Sequence, residues 1–134
     1  MSDMPPSEKL VRDFFAALNT GDLEKLRPFF TANTVWKPMV KNMTSAPEYQ
    51  GDAIIRDFLK PIREGLFRAG DPKVAITFLV ANGNKVAAET DGSGLTLSGK
   101  VYDNRYAWFF VTEGSKIVSI HEYLDSLYVT KLGS

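Results

Sequence analysis

The sequence predicts an α+β domain in which helices cover one face of a curved antiparallel sheet. Two observations carry this. Through the first half of the chain apolar residues recur at helical spacing in three stripes, whereas from Asp71 to Asp125 they alternate with period 2 between tight-turn residues. At 134 residues the chain is read as one domain, 1–134, large enough to bury a core without disulfides or metals.

Met1–Pro6 reads as a loose leader, and Ser7 as the N-cap of a first helix whose inward stripe is Leu10, Val11, Phe14, Phe15 and Leu18. Asn19-Thr20-Gly21-Asp22 stops it, and Asp22 caps a short second helix carrying Leu23, Leu26, Phe29 and Phe30. Asn33 marks the turn into a short strand at Val35-Trp36, and 37–50, with two prolines, reads as a loop over one end of the core. A third helix opens at Gly51-Asp52, buries Ile54, Ile55, Phe58 and Leu59, is kinked or interrupted at Pro61, and continues through Ile62, Leu66 and Phe67 to Gly70. Val74, Ile76, Phe78 and Val80 then form the apolar face of a strand, which turns at Asn82-Gly83 and returns over Lys85–Asp91 until Gly92-Ser93-Gly94 breaks it.

The last two strands, from Ser98 to Asp125, organise the rest. Around the turn Thr112-Glu113-Gly114-Ser115, one face of the first arm carries Tyr102, Asn104, Tyr106, Trp108 and Phe110. One face of the second carries Val118, Ile120, Glu122 and Leu124. Each apolar face thus holds one polar intruder, Asn104 or Glu122. A carboxylate at a core-facing position needs partners or a wet cavity, so this pair points to a pocket.

Composition removes several functions. Sixteen basic and sixteen acidic side chains balance, which gives no electrostatic reason to expect nucleic acid or an anionic membrane as partner. The absence of cysteine removes disulfides and thiolate chemistry and fits a reducing compartment. No signal-peptide pattern or apolar run near 18 residues occurs, so a cytoplasmic protein is the expectation. His121 is the single histidine, expected on the outer face, so no multi-histidine metal site is expected; no Gly-x-Ser-x-Gly elbow or glycine-rich phosphate loop is present.

FFAALNTGDLEKLRPFFTANTVW resembles the opening of the nuclear transport factor 2-like superfamily. GKVYDNRYAWFFVTEGSKIVSIHEYLDSLY resembles the end of its SnoaL-like branch, related to ketosteroid isomerases, limonene epoxide hydrolases and polyketide cyclases. Over roughly residues 7–128 the resemblance implies a cone: a strongly bent antiparallel or mixed sheet wrapped around three N-terminal helices, with a deep apolar pocket and a homodimer across the outer sheet face. The family's catalytic sets transfer incompletely. Where a ketosteroid isomerase has its helix Tyr, its proton-moving Asp and its late-strand Asp, this chain has Phe14, Lys37 and Asn104. Of the epoxide hydrolase's Asp, Arg, Asp set, Glu122 matches the last-strand Asp and the earlier pair falls near Glu89 and Asp91, with Arg105 or Arg63 left to approach from elsewhere.

The expected site therefore comprises Glu122 as general base, Asn104 as polariser of a carbonyl or enolate oxygen, and Lys37 as acid, anion clamp or amine nucleophile. Phe14, Trp36, Tyr49, Tyr106 and Trp108 are expected against the substrate, together with Glu89 if the strand register turns it, rather than Thr90, inward. Together these suit cofactor-independent proton transfer next to a carbonyl, as in isomerisation, cyclisation or lyase chemistry on a small apolar, aromatic or polyketide-like molecule. The alternatives are a non-catalytic small-molecule binder or dimerisation module, and epoxide hydrolysis with an altered acid set.

Overall fold

The computed structural model describes residues 4–132. Of the expected leader, Met1–Asp3 lie outside the described residues, and the first helix, α1 (Pro6–Leu18), begins at its last position. Proline suits a first helical turn because its missing N–H would have no partner there. Ser7 consequently falls inside the helix rather than capping it, and its Oγ donates to the Gly83 carbonyl at 2.6 Å. Val11, Phe14, Phe15 and Leu18 form the buried side of α1. Asp22 does cap the next element, a 3₁₀ helix over Leu23–Phe29, by accepting from the Glu24 N–H at 3.1 Å.

Strand β1 (Val35–Pro38) pairs with β2 (Tyr49–Gln50), a two-residue strand within the expected loop and too short to show a period. The third helix is continuous across Pro61. A π turn over Ile54–Leu59 runs directly into α2 (Lys60–Leu66), and this wider turn accommodates the absent N–H and the ring's crowding of the preceding turn. The helix stops at Leu66, and Phe67 is extended, buried and bridged to Thr96.

Strands β3 (Lys73–Asn82), β4 (Lys85–Leu95), β5 (Val101–Glu113) and β6 (Lys116–Leu124) form an antiparallel meander, and β1 joins β6 in parallel. The resulting mixed sheet has the order β2-β1-β6-β5-β4-β3, and it curls into a cone around the helices. Two bulges overturn the expected facing, since one extra residue moves all later side chains to the other face. In β3 the register shifts between Ile76 and Phe78, so Leu79 and Ala81 turn toward the core while Phe78 and Val80 are exposed. In β6 a shift opposite Val111/Thr112 places Ile117, not Val118, in the core. Strand β4 also continues through Gly92-Ser93-Gly94 to Leu95 instead of breaking.

The chain then forms a helix the sequence reading lacked, α3 (Ser126–Leu132). Asp125 caps it, accepting from the Tyr128 N–H at 3.0 Å. Inside the cone, Phe14 lies 5.4 to 6.2 Å from five other rings, those of Phe15, Phe29, Phe30, Trp36 and Phe110. Much of the aromatic content therefore serves core packing, worth about 0.5–1.5 kcal/mol per pair beyond area burial. No helix among the described residues is long and apolar enough to cross a membrane.

Candidate active site

Between the open end of the cone, the segment after β1, α2 and α3 lies a cavity of about 500 Å³. That volume is in the ~300–1,000 Å³ range of small-molecule sites. Leu18, one turn on from Phe14, reaches it from α1; Val40 and Met43 close one side, and Val129 and Leu132 of α3 another. In this apolar lining Glu122, Arg63, Tyr102 and Tyr106 supply groups with proton-transfer or charge-stabilising capacity, and Lys100 lies on the wall with its Nζ donating to the Leu132 carbonyl at 2.9 Å.

Glu122 projects from β6 opposite Trp108 of β5. Its Oε1 accepts from Trp36 Nε1 at 2.9 Å, so the indole, buried in the core beside it, orients the carboxylate without protonating it. Burial pushes the Glu122 carboxyl up to about 7, with the Trp36 hydrogen bond and the nearby Arg63 charge working in the opposite direction. Arg63 comes from α2 and donates to the carbonyls of Asp71 at 3.4 Å and Pro72 at 3.0 Å. Burial disfavours its charge, while Tyr106, Glu122 and Asp71 favour it. Burial likewise raises the Tyr102 and Tyr106 phenols, which keep their hydrogens throughout the neutral range.

Three of the expected site residues line this cavity: Glu122, Tyr106 and Trp108. Trp108 is held by its own hydrogen bond, Nε1 to Thr90 Oγ1 at 2.8 Å. Trp36, Phe14 and Tyr49 are core rather than wall. Trp36 backs Glu122, Phe14 sits in the ring cluster, and Tyr49 stacks on Phe58 at 4.8 Å with its hydroxyl near Ser45. Asn104 is buried on the inward face, but its amide bonds are spent on Tyr102, Arg105 and Asp125, so it does not face a ligand directly. Lys37 and Glu89 are corrections. Lys37 alternates with the inward Trp36 and Pro38 and pairs beside His121, on the opposite face of β1. Glu89 is exposed because the β4 register turns Ala88 and Thr90 inward. Among the described residues no cluster of three potential metal ligands occurs.

A SnoaL-like domain model matches residues 11–120, most of the chain. The protein belongs to the SnoaL-like family. Solved structures share this fold at low identity. A nuclear transport factor 2-like protein from Burkholderia pseudomallei superposes with a TM-score of 0.84 at 13% identity, covering 96% of this chain and 98% of its own. TerC, crystallised with polyporic acid, gives 0.81 at 16% identity over 96% and 98%. A polyketide cyclase candidate from Xanthomonas campestris pv. campestris gives 0.75 at 19% over 96% and 97%. No curated protein matches the chain by sequence.

In this SnoaL-like domain the groups that sequence reasoning left outside the site are Arg63 and Tyr102. Arg63 sits beyond Pro61 on a helix whose continuation past the proline decides its direction. Tyr102 was legible on the inward face of β5, but four residues along a strand is about 13 Å, so nothing in the spacing indicates that its hydroxyl meets that of Tyr106. Gly92 makes that meeting possible, because a Cβ there would lie 2.7 Å from Tyr106 Cε1. Gly92→Ala is therefore expected to destabilise the SnoaL-like domain by about 1–3 kcal/mol by displacing the Tyr106 ring, checked by urea unfolding.

Proposed function

We propose that the protein catalyses cofactor-independent proton transfer next to a carbonyl in a small apolar molecule, aromatic or polyketide-like, with Glu122 as the base. The observation carrying this reading is the Glu122 carboxyl, facing an apolar cavity and poised at about 7. A base whose pKa matches the working pH combines a useful ionised fraction with adequate proton affinity. The proton it removes can be returned to another atom of the same molecule, which covers isomerisation and cyclisation. The polyketide cyclase candidate and the complex of TerC with polyporic acid support this substrate class. Epoxide opening by paired acids is less well supported, because Glu122 is the one carboxylate among the described residues on the cavity wall.

The test is deuterium exchange at carbon next to the carbonyl in a panel of bicyclic ketones and 1,3-diketones, followed by NMR against pH. Ionised Glu122 is the active form, so exchange should rise with pH through about 7 and then level off. Saturable binding without exchange anywhere in the panel would favour the binder reading.

The exposed apolar band of Phe78, Val80, Phe109, Val118 and Tyr123 supports a homodimer across the outer sheet face. Sedimentation velocity is expected to report a two-chain mass, and replacing Phe78 and Phe109 with Lys to shift it toward one chain.

A further inference from the structure

Asn104, Tyr102 and Tyr106 form a hydrogen-bond chain anchored at its far end by the Asn104 amide. Asn104 Oδ1 accepts from the Arg105 N–H at 2.8 Å, and Asn104 Nδ2 donates to the Asp125 carbonyl at 3.3 Å. A backbone N–H only donates and a carbonyl only accepts, so these contacts settle which end of the amide is which. The second contact of Nδ2 is Tyr102 Oη at 3.0 Å, where the tyrosine must be the acceptor. With one lone pair of Tyr102 Oη taken by Asn104, Tyr106 Oη at 2.5 Å is the acceptor within reach of the Tyr102 hydrogen, and that arrangement leaves the Tyr106 hydrogen for whatever enters the cavity. Each donated hydrogen polarises the next hydroxyl, which makes the terminal Tyr106 O–H a stronger donor than an isolated phenol.

We propose that Tyr106 is the group that receives the anionic oxygen of an enolate ligand, with Tyr102 and Asn104 as positioning residues that keep its hydrogen aimed at the cavity. The site thereby selects molecules with an enolisable carbonyl or an acidic enol over apolar molecules of the same size. The substrate class rests on the proton-transfer reading of Glu122. In that reaction the Glu122 carboxylate takes a proton from carbon, the C–H electron pair becomes the C=C bond of the enolate, and the carbonyl π pair moves onto oxygen. Tyr106 meets the developing charge by hydrogen bonding without giving up its proton, since burial keeps it a poor acid. Arg63 and Lys100, the cations on the same wall, add a favourable potential.

The probe is 2-hydroxy-1,4-naphthoquinone, a coloured acidic enol, titrated against the purified protein at about pH 6, where Glu122 is largely protonated. Binding and the bound probe's own pKa are read from its absorbance, with 1,4-naphthoquinone as the comparison lacking the enol. The wild type should bind the enolate more tightly than the quinone and lower the probe's pKa. Tyr106→Phe should weaken enolate binding by about tenfold or more, the loss of a hydrogen bond to a charged oxygen, raise the bound pKa, and weaken quinone binding by a clearly smaller factor, because a neutral carbonyl gains less from the same donor. Tyr102→Phe, which keeps the ring but removes the polarising hydrogen, should do the same by a smaller factor, and Asn104→Leu should resemble it. If Asn104→Leu does not fold, Tyr102→Phe decides the positioning role. Equal enolate binding by wild type and Tyr106→Phe, equal binding of enol and quinone, or no enolate binding at millimolar probe would overturn the proposal. The base reading fails separately, if Glu122→Gln retains exchange while the Tyr106 effect on binding persists.

Discussion

Glu122→Gln is expected to lower the rate of carbon-bound proton exchange by about 10³-fold, within the span usual for loss of a general base. Glutamine has the shape of the carboxylate and can still accept the Trp36 Nε1 hydrogen bond, so the cavity wall should remain in place. What it lacks is a site of suitable basicity. The loss should therefore appear in turnover with little change in ligand affinity, and the rise of rate through about pH 7 should vanish with the group that titrates there. Exchange rates by NMR, with a thermal melt as the control for folding, provide the check. A variant that keeps its turnover and loses only affinity would reduce Glu122 to a ligand-orienting group and favour the binder reading.

The same substitution is expected to stabilise the protein at alkaline pH. Folded Glu122 holds its proton until about 7, whereas an unperturbed glutamate releases it near 4.5. Between those values the native state binds one more proton than the unfolded chain, so this group makes stability fall as pH rises. Below 4.5 both states are protonated and the effect is absent; above about 7 both are ionised and it is complete. At about 1.4 kcal/mol per pH unit the full cost is ~3 kcal/mol. Glutamine does not titrate. Wild type and Glu122→Gln should thus have similar stability near pH 4.5, and the variant should be up to ~3 kcal/mol more stable at pH 8. Urea unfolding of both proteins at the two pH values measures the difference, in which the other carboxylates cancel. A wild type more stable than the variant at pH 8 would mean that the carboxylate is solvated.

Much of the fold was legible because long periodic segments dominate it. The β5–β6 hairpin, its inward aromatic face and the intruding Glu122 follow from alternation alone. Phe78, Val80 and Val118 did not follow, because a bulge reverses facing without leaving a mark in the period. Lys37 and Glu89 failed for related reasons. Position after a tryptophan in a short strand, or beside a glycine, does not determine which face a side chain takes, and partner registers do. Asn104 was found, but its amide is engaged by groups of the protein itself. That a polar residue was buried could be inferred, whereas the partners that occupy its amide come from β5's own backbone and the start of α3, an element without a periodic signal. Arg63 was open as a cation that could approach the acid, but its direction depends on whether Pro61 kinks or interrupts the helix, and the local π turn keeps the helix unbroken there.

The position of the cavity's components along the chain has a consequence for how such proteins diversify. The family match spans residues 11–120, whereas Glu122, Leu124 and the whole of α3 come after it. Residues up to 120 supply Arg63, Tyr102, Tyr106 and most of the wall, and the last stretch adds the Glu122 carboxylate and one closing side. Substitutions confined to the side chains of that stretch would change one carboxylate and one wall of the cavity while Arg63, Tyr102 and Tyr106 stay in place. A library restricted to those positions would reach the ring cluster around Phe14 through Trp36, whose Nε1 donates to Glu122, so position 122 carries both the chemistry and a tie to the core.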